Sequence, residues 1–277
     1  MMARNYETLS ADEKANGTKF AESPGAKSAA DLRRMSAEAV LKAPRVAMSA
    51  VVDGWVLAQD VYTTFASGKQ NDVPMIIGSM AADLAGPGAS GPPRKASEVP
   101  EYARKTYGAL AEKFLKVFPA DTDAQAAKSA TAFAGARSMA NNRAFARMAT
   151  KTGKSKVYWY LFTHTSPFPD GLVWGGRPAR DWGAYHGGEM VYVFNAFPLQ
   201  DWAWRPVDLK VGDQVSSLWV NFAKTGNPSA PGLPKWPAFD PNIEVLLDIG
   251  DVLKAGPAPN KLALDFIDEL PPAQPRR

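Results

Sequence analysis

Short runs of consecutive apolar residues alternate with longer stretches whose apolar positions recur every three or four residues. The run Val73 to Ile77, VPMII, has no polar break, as expected of a strand buried in a parallel sheet. It is expected to end at Gly78, leaving Ser79 to Asp83 as the loop at its carboxyl end. Lys156 to Phe162, KVYWYLF, is dense in β-branched and aromatic residues and predicts a second strand. Glu244 to Asp248 predicts a third, shorter one. Between them, Tyr107, Leu110, Phe114 and Val117 fall on one helical face, predicting a helix from about Pro100 to Val117 that Pro119 stops. The alanine-rich stretch Asp121 to Thr150, anchored by Phe133, Met139, Phe145 and Met148, predicts one or two helices that end by Gly153. Val215, Leu218, Trp219 and Phe222 predict a helix over Asp213 to Lys224, with Gly226 as its C-cap. Lys261 to Leu270 predicts a last helix.

The first seventy residues carry weaker signals. Ser10 and Glu13 have capping-box spacing for a helix towards Phe20, and Ser28 with Asp31 is placed to cap a second. Ser49 to Leu57 reads as an extended piece turning at Asp53-Gly54, so Asp53 is expected to be structural. The Gly/Pro-rich stretch Leu84 to Lys95 and the stretch from His164 to Gly183 read as loops, and Pro271 to Arg277 as a disordered tail. Strands separated by helices make an α/β pattern with a mostly parallel sheet, whose working residues gather at the carboxyl ends of the strands.

Composition narrows the functions available. The net charge of +4 is small, and Lys and Arg are scattered rather than clustered, which argues against a nucleic-acid partner. The absence of cysteine excludes disulfides, thiolate metal sites and a cysteine nucleophile. No apolar run reaches the length of a membrane span, and the N-terminal residues carry no signal-peptide core, so a soluble chain is expected. With two histidines and no HExxH, a zinc site is not expected, nor is any other metal or cofactor.

Candidate chemistry centres on Asp181 to Phe197, DWGAYHGGEMVYVFNAF. Gly183, Gly187 and Gly188 let the backbone turn sharply on both sides of His186, and Met190 to Phe194 supply an apolar anchor behind it. A loop-mounted histidine can take and return a proton near neutral pH. Asp83, at the end of the first strand, precedes it in the order acid then histidine of an α/β-hydrolase. Glu189 is expected to anchor the loop, or to rival Asp83 as the partner of His186. Trp174, Trp182 and Tyr185 are candidate pocket walls, with plain loop packing as the alternative. His164 could border the same pocket, against the ordinary role of a loop histidine bonded to backbone. Ser216 and Ser217 read as a solvated helix face.

Several segments resemble type-B carboxylesterases, the family of the cholinesterases and bacterial para-nitrobenzyl esterases. They are VVDGW at Val51 to Trp55, FASGKQNDVPMIIGS at Phe65 to Ser79, YHGGEMVYVF at Tyr185 to Phe194, and LWVNFAKTGNPSAPGLPKWPAFDP at Leu218 to Pro241. The resemblance puts the family's histidine on His186 and its triad acid, usually glutamate, on Asp83. Around that acid, Ala82 and Leu84 stand where the family often has aspartate and glycine. It implies that the 277 residues are the C-terminal portion of one α/β-hydrolase domain, acting on small-molecule esters through an acyl-enzyme. No GxSxG nucleophile motif occurs in the chain. Its nearest imitation, AESPG around Ser23, fails because Pro24 has no N–H to lend an oxyanion. The nucleophile and oxyanion hole are then expected in an N-terminal half, with the coding sequence beginning upstream. Two other readings are a non-catalytic, cholinesterase-like interaction protein and an unrelated enzyme that uses His186 differently.

Overall fold

A computed structural model of the chain describes residues 7–8, 16–23, 25–43, 51–83, 91–174 and 176–270. The chain divides into two compact units, with the division between Lys69 and Gln70. The first unit holds the short helices Thr18–Glu22, Ala29–Arg34, Ala37–Lys42 and Val61–Ala66, and a two-residue parallel ladder of Glu7–Thr8 with Val51–Val52. Ser28 caps its helix as its sequence position suggests, accepting the Asp31 N–H, and Asp53 accepts the N–H groups of Trp55, Val56 and Leu57 in a tight turn. Ser10 and Glu13 lie outside the described residues, as do residues 84–90 of the expected loop and the tail 271–277.

The second unit is built on a four-stranded sheet: β1 (Met75–Met80), β2 (Val157–Phe162), β3 (Val245–Ile249) and β4 (Leu253–Pro257), in that order across the sheet. β1 and β2 are parallel with Met75 opposite Val157 and Met80 opposite Phe162. β2 and β3 are parallel with Tyr160 opposite Leu247, and β4 returns antiparallel from β3. All six residues of β2 are buried, as an unbroken apolar run demands of a strand covered on both faces. β4 was not legible as a strand, because LKAGP carries a proline and a glycine and only completes an edge.

Two boundaries depart from the sequence expectation. β1 does not stop at Gly78 but runs on to Met80, because Gly78 lies under the Tyr160 ring. A β-carbon there would come within 2.3 Å of ring carbons. The glycine is a close-approach residue, not a terminator. The helix expected over residues 100–117 is broken into α1 (Val99–Tyr107) and α2 (Ala111–Val117) at Gly108, whose φ of 53° leaves the helical region.

α3 (Asp123–Thr152) is one continuous helix, capped by Thr122 and stopped at Gly153. α4 (Met190–Val193) is short, and α5 (Pro206–Thr225) begins seven residues earlier than its apolar face suggested. Pro206 at its first position and Asp208, which accepts the Arg205 N–H at 2.7 Å, are the start signals that were passed over. Gly226 is the left-handed C-cap, at φ 71°. α6 (Lys261–Glu269) packs on α3.

Two aromatic-rich cores flank the sheet. On one side Tyr158, Tyr160 and Phe162 of β2 meet Val211, Val215 and Leu218 of α5, with Tyr192 and Trp236. On the helical side Tyr107, Phe114, Phe118, Phe133 and Phe266 form an edge-to-face cluster. Each such ring contributes roughly 1.5–3 kcal/mol on full burial, so these clusters fix the helices to the sheet. α6 is also held by charge. Arg143 of α3, fully buried, donates to Glu244, Asp265 and Asp268 at 3.3, 3.1 and 2.8 Å, and Arg147 joins Glu244 and Asp268. Among the described residues no helix is long and apolar enough to cross a membrane.

Candidate active site

Asp83 sits just past the end of β1, and His186 just before α4. One backbone bond, Ala82 N–H to Ala184 C=O at 3.0 Å, laces the two loops together. Gly183 and Gly187 have φ of 60° and 80°, so the turns on either side of His186 use backbone that other residues rarely adopt. The loop then closes through Gly188 N–H to Tyr185 C=O and Met190 N–H to Gly187 C=O, and Val191 and Tyr192 anchor it in the core.

The imidazole of His186 meets Asp83 directly, with Nδ1 2.6 Å from Oδ1. An ionised carboxylate offers only lone pairs, so Nδ1 carries the hydrogen and donates, which leaves Nε2 as the basic nitrogen. The carboxyl of Asp83 is buried, whereas the His186 side chain is 71% exposed. A ring with one nitrogen turned inward on a buried acid and its other edge open can pass a proton at Nε2.

The second oxygen of Asp83 accepts from Ser138 Oγ of α3. Ser138 belongs to a small-residue face of that helix. Gly135 lets the helix touch the acid's loop, since a β-carbon there would stand 2.3 Å from the Ala81 carbonyl oxygen. Asn142, one turn beyond Ser138, donates to the Gly78 carbonyl at 2.5 Å. Ser138 holds the acid itself, Gly135 and Asn142 meet the backbone of the strand and loop that carry it, and sequence reasoning missed all three. Their only trace is the spacing of 135, 138 and 142 on one face of an alanine-rich helix.

Glu189 is not the partner of His186 Nδ1. Its backbone carbonyl accepts from Tyr192 and Val193, and its Oε2 is buried with no hydrogen-bond partner among the described residues. Burial pushes its carboxyl above the ordinary range. Its own N–H and His186 work the other way, and the nearby Asp83 adds to the rise. Glu189 and Tyr160 stand in the wall of an apolar groove of 420 Å³ with Met190, Phe194 and Trp219.

Trp174, Trp182 and Tyr185 are not in that wall. They pack on one another, with Trp174 5.9 Å from Trp182 and 5.0 Å from Tyr185, and Trp182 Nε1 donates to the Trp174 carbonyl. His164 also departs from expectation. Its side chain is fully buried and bonded to the carboxylates of Asp208 and Asp251, not to backbone. Ser23 is the C-cap residue of the helix Thr18–Glu22, in the other unit. Among the described residues no cluster of three or more acidic or histidine side chains could hold a metal.

Comparison with known proteins follows the same lines. The model of the carboxylesterase family matches residues 10–267. Fumonisin B1 esterase of Sphingopyxis macrogoltabida is 24% identical over 278 residues, covering 94% of this chain and 49% of that protein. Carboxylesterase 1C of Rattus norvegicus is 26% identical over 237 residues, covering 77% of this chain and 40% of the relative. Liver carboxylesterase B-1 of the same species is 41% identical over a 61-residue stretch, 22% of this chain and 11% of the relative. The chain thus spans about half the length, or less, of the curated relatives it matches.

Proposed function

Because the chain belongs to the carboxylesterase family, we propose that it supplies the acid and the base of a serine-esterase triad, with Asp83 as the acid and His186 as the base. The observation that carries this reading is the hydrogen bond from His186 Nδ1–H to the buried Asp83, made by a ring whose other edge is exposed. The reaction is hydrolysis of a carboxylic ester through an acyl-enzyme. Nε2 of His186 takes the proton of a serine hydroxyl as that oxygen attacks the ester carbonyl, then delivers it to the leaving alcohol. In the second half-reaction Nε2 takes a proton from water as the water oxygen attacks the acyl carbonyl, then returns it to the serine oxygen as the C–Oγ bond breaks and the carboxylic acid departs. Asp83 holds the tautomer and balances the imidazolium, while Ser138 fixes the acid.

The serine and the oxyanion donors belong, in this reading, to an N-terminal half of the same domain. Two things support that: no GxSxG stands in these 277 residues, and the relatives are about twice as long as the matched region. The names of the relatives support a small-molecule carboxylic ester as substrate. The test is complementation. Joined to an N-terminal carboxylesterase half bearing GxSxG, the chain hydrolyses short-chain nitrophenyl esters, and His186→Ala abolishes that turnover. Alone, it matches its own His186→Ala variant. Saturable, His186-dependent turnover by the lone chain overturns the assignment of the nucleophile. A complemented protein that binds esters but never turns them over favours the cholinesterase-like interaction role.

A further inference from the structure

We propose that His164 is a buried imidazolium that positions the His186 loop, acting through Asp208 and Tyr192 without touching substrate. The proposal that His164 is charged stands on its own geometry, and only its consequence for catalysis rests on the reading of His186 given above.

Both ring nitrogens of His164 face carboxylates. Nε2 lies 2.6 Å from Asp208 Oδ1 and Nδ1 lies 2.7 Å from Asp251 Oδ1. A neutral imidazole has one N–H and one lone pair, so one of these contacts would set lone pair against lone pair at hydrogen-bond distance. With both nitrogens protonated, each contact becomes a charge-assisted hydrogen bond.

The surroundings agree. Arg205 grips Asp208 with its backbone N–H and Nε on Oδ2, at 2.7 and 2.8 Å, and with Nη2 on Oδ1 at 2.8 Å. Burial opposes the charged form of Asp208. The Arg205 hydrogen bonds, with a further one from His164, outweigh it and hold the carboxyl down at about 2. Asp208 is therefore acceptor-only at neutral pH. The charged groups facing His164 are thus Asp208 of α5, with its partner Arg205 at the cap of that helix, and Asp251 from the β3–β4 turn. Two anions balance two cations only when His164 carries its proton, and a neutral ring would leave an excess negative charge against a buried side chain.

The link to His186 is short. Tyr192 packs edge-on against the His164 ring, with centroids 5.1 Å apart and planes at 81°. Its hydroxyl contacts Ser166 Oγ at 3.1 Å and donates a long bond of 3.4 Å to the same Asp208 oxygen that His164 holds. Tyr192 lies in α4, which starts four residues after His186. Loss of the His164 proton replaces an attraction to Asp208 or Asp251 with a repulsion. Asp251, whose side chain is 71% exposed, can then swing into water, while Asp208 cannot leave. The ring must reorient, and Tyr192 loses the surface it leans on.

With two histidines in the chain, the test is clean. Long-range proton–nitrogen spectra of the 277-residue chain resolve two imidazoles, assigned by His164→Gln and His186→Gln. At pH 7.5 both nitrogens of His164 are expected at imidazolium shifts. Asp251→Asn removes one charge at an exposed position. It is expected to abolish that signature at pH 7.5, with the His186 resonances moving in step as His164 loses its proton. A neutral-type shift at either His164 nitrogen in the unsubstituted chain overturns the charge assignment. His186 resonances that stay fixed while His164 titrates in Asp251→Asn overturn the positioning role. Failure of the complementation experiment to give esterase activity would leave these spectra unchanged, so the two readings fail separately.

Discussion

The two histidines of this chain have the same partner chemistry and opposite prospects. His186 bonds one carboxylate through one nitrogen and is 71% exposed, while His164 bonds two carboxylates through both nitrogens and is fully buried. Each has at least one short contact to an aspartate, so the presence of a His–Asp pair does not by itself mark a base. What separates them is the second nitrogen. In His186 it is left as a lone pair that can accept a proton, whereas in His164 it is occupied by an anion, which turns the ring into a cation that ties segments together.

The strongest way to break this contrast is at the acid of the exposed pair. In the complemented esterase, Asp83→Asn keeps the shape but favours the wrong tautomer of His186, and kcat is expected to fall by about 10⁴. Ser138→Ala leaves the carboxylate in place with one hydrogen bond fewer, and a loss of about tenfold is expected. Equal losses from the two substitutions would show that Ser138 is more than a support. Steady-state kinetics on the three proteins decides.

At the buried histidine the same kind of change should appear in stability. Asp208→Ala strands His164 and Arg205 without their common anion, and unfolding in denaturant is expected to require about 3–5 kcal/mol less. Asp83→Asn, measured in the same way, is expected to cost far less. If it costs as much, the division between a working pair and a structural pair fails.

The smallest effects are pH limbs of opposite sign. Asp208 is held at about 2, below its ordinary 3.8, so its contribution is complete above about pH 4 and is lost as the pH falls through about 2. Glu189 is raised above 4.5, so its contribution is complete below that value and fades as the pH rises through the raised one. Thermal melting across pH should therefore fall less steeply on the acid side in Asp208→Asn, while lowered carboxylates such as Asp72 and Asp265 keep their own share of that limb. In Glu189→Gln it should flatten on the alkaline side, with a higher melting temperature at neutral pH.

Elements with an unbroken pattern were legible in the sequence. β2 was visible because all six of its residues are buried, and the His186 loop because glycines flank it on both sides. Boundaries set by a distant residue were not. Gly78 reads as a strand end until Tyr160 is seen lying over it, and Gly108 breaks a helix whose apolar spacing runs straight through. In the site, the order of Asp83 and His186 along the chain could be read directly. Ser138 could not, since a serine in an alanine-rich helix has no local feature that says what it faces. His164 was misjudged for a related reason. Its partners lie 44 and 87 residues away, and a loop position says nothing about where carboxylates from α5 and the β3–β4 turn will come.

The guanidinium of Arg143 has a consequence for the order in which the molecule can be assembled. α3 needs nothing beyond its own residues to wind, and an alanine-rich helix of 30 residues starts early. Yet two of the Arg143 acceptors, Asp265 and Asp268, lie 122 and 125 residues further along the chain. On a ribosome the helix therefore emerges with a positive charge at a position destined for the interior, and that face must stay wet until α6 has been synthesised. Desolvating it sooner would mean enclosing a cation with most of its anions absent. The docking of α6 thus closes the α3 side of the sheet in one late step, and the core on that side cannot be committed until more than a hundred residues beyond the helix have been translated.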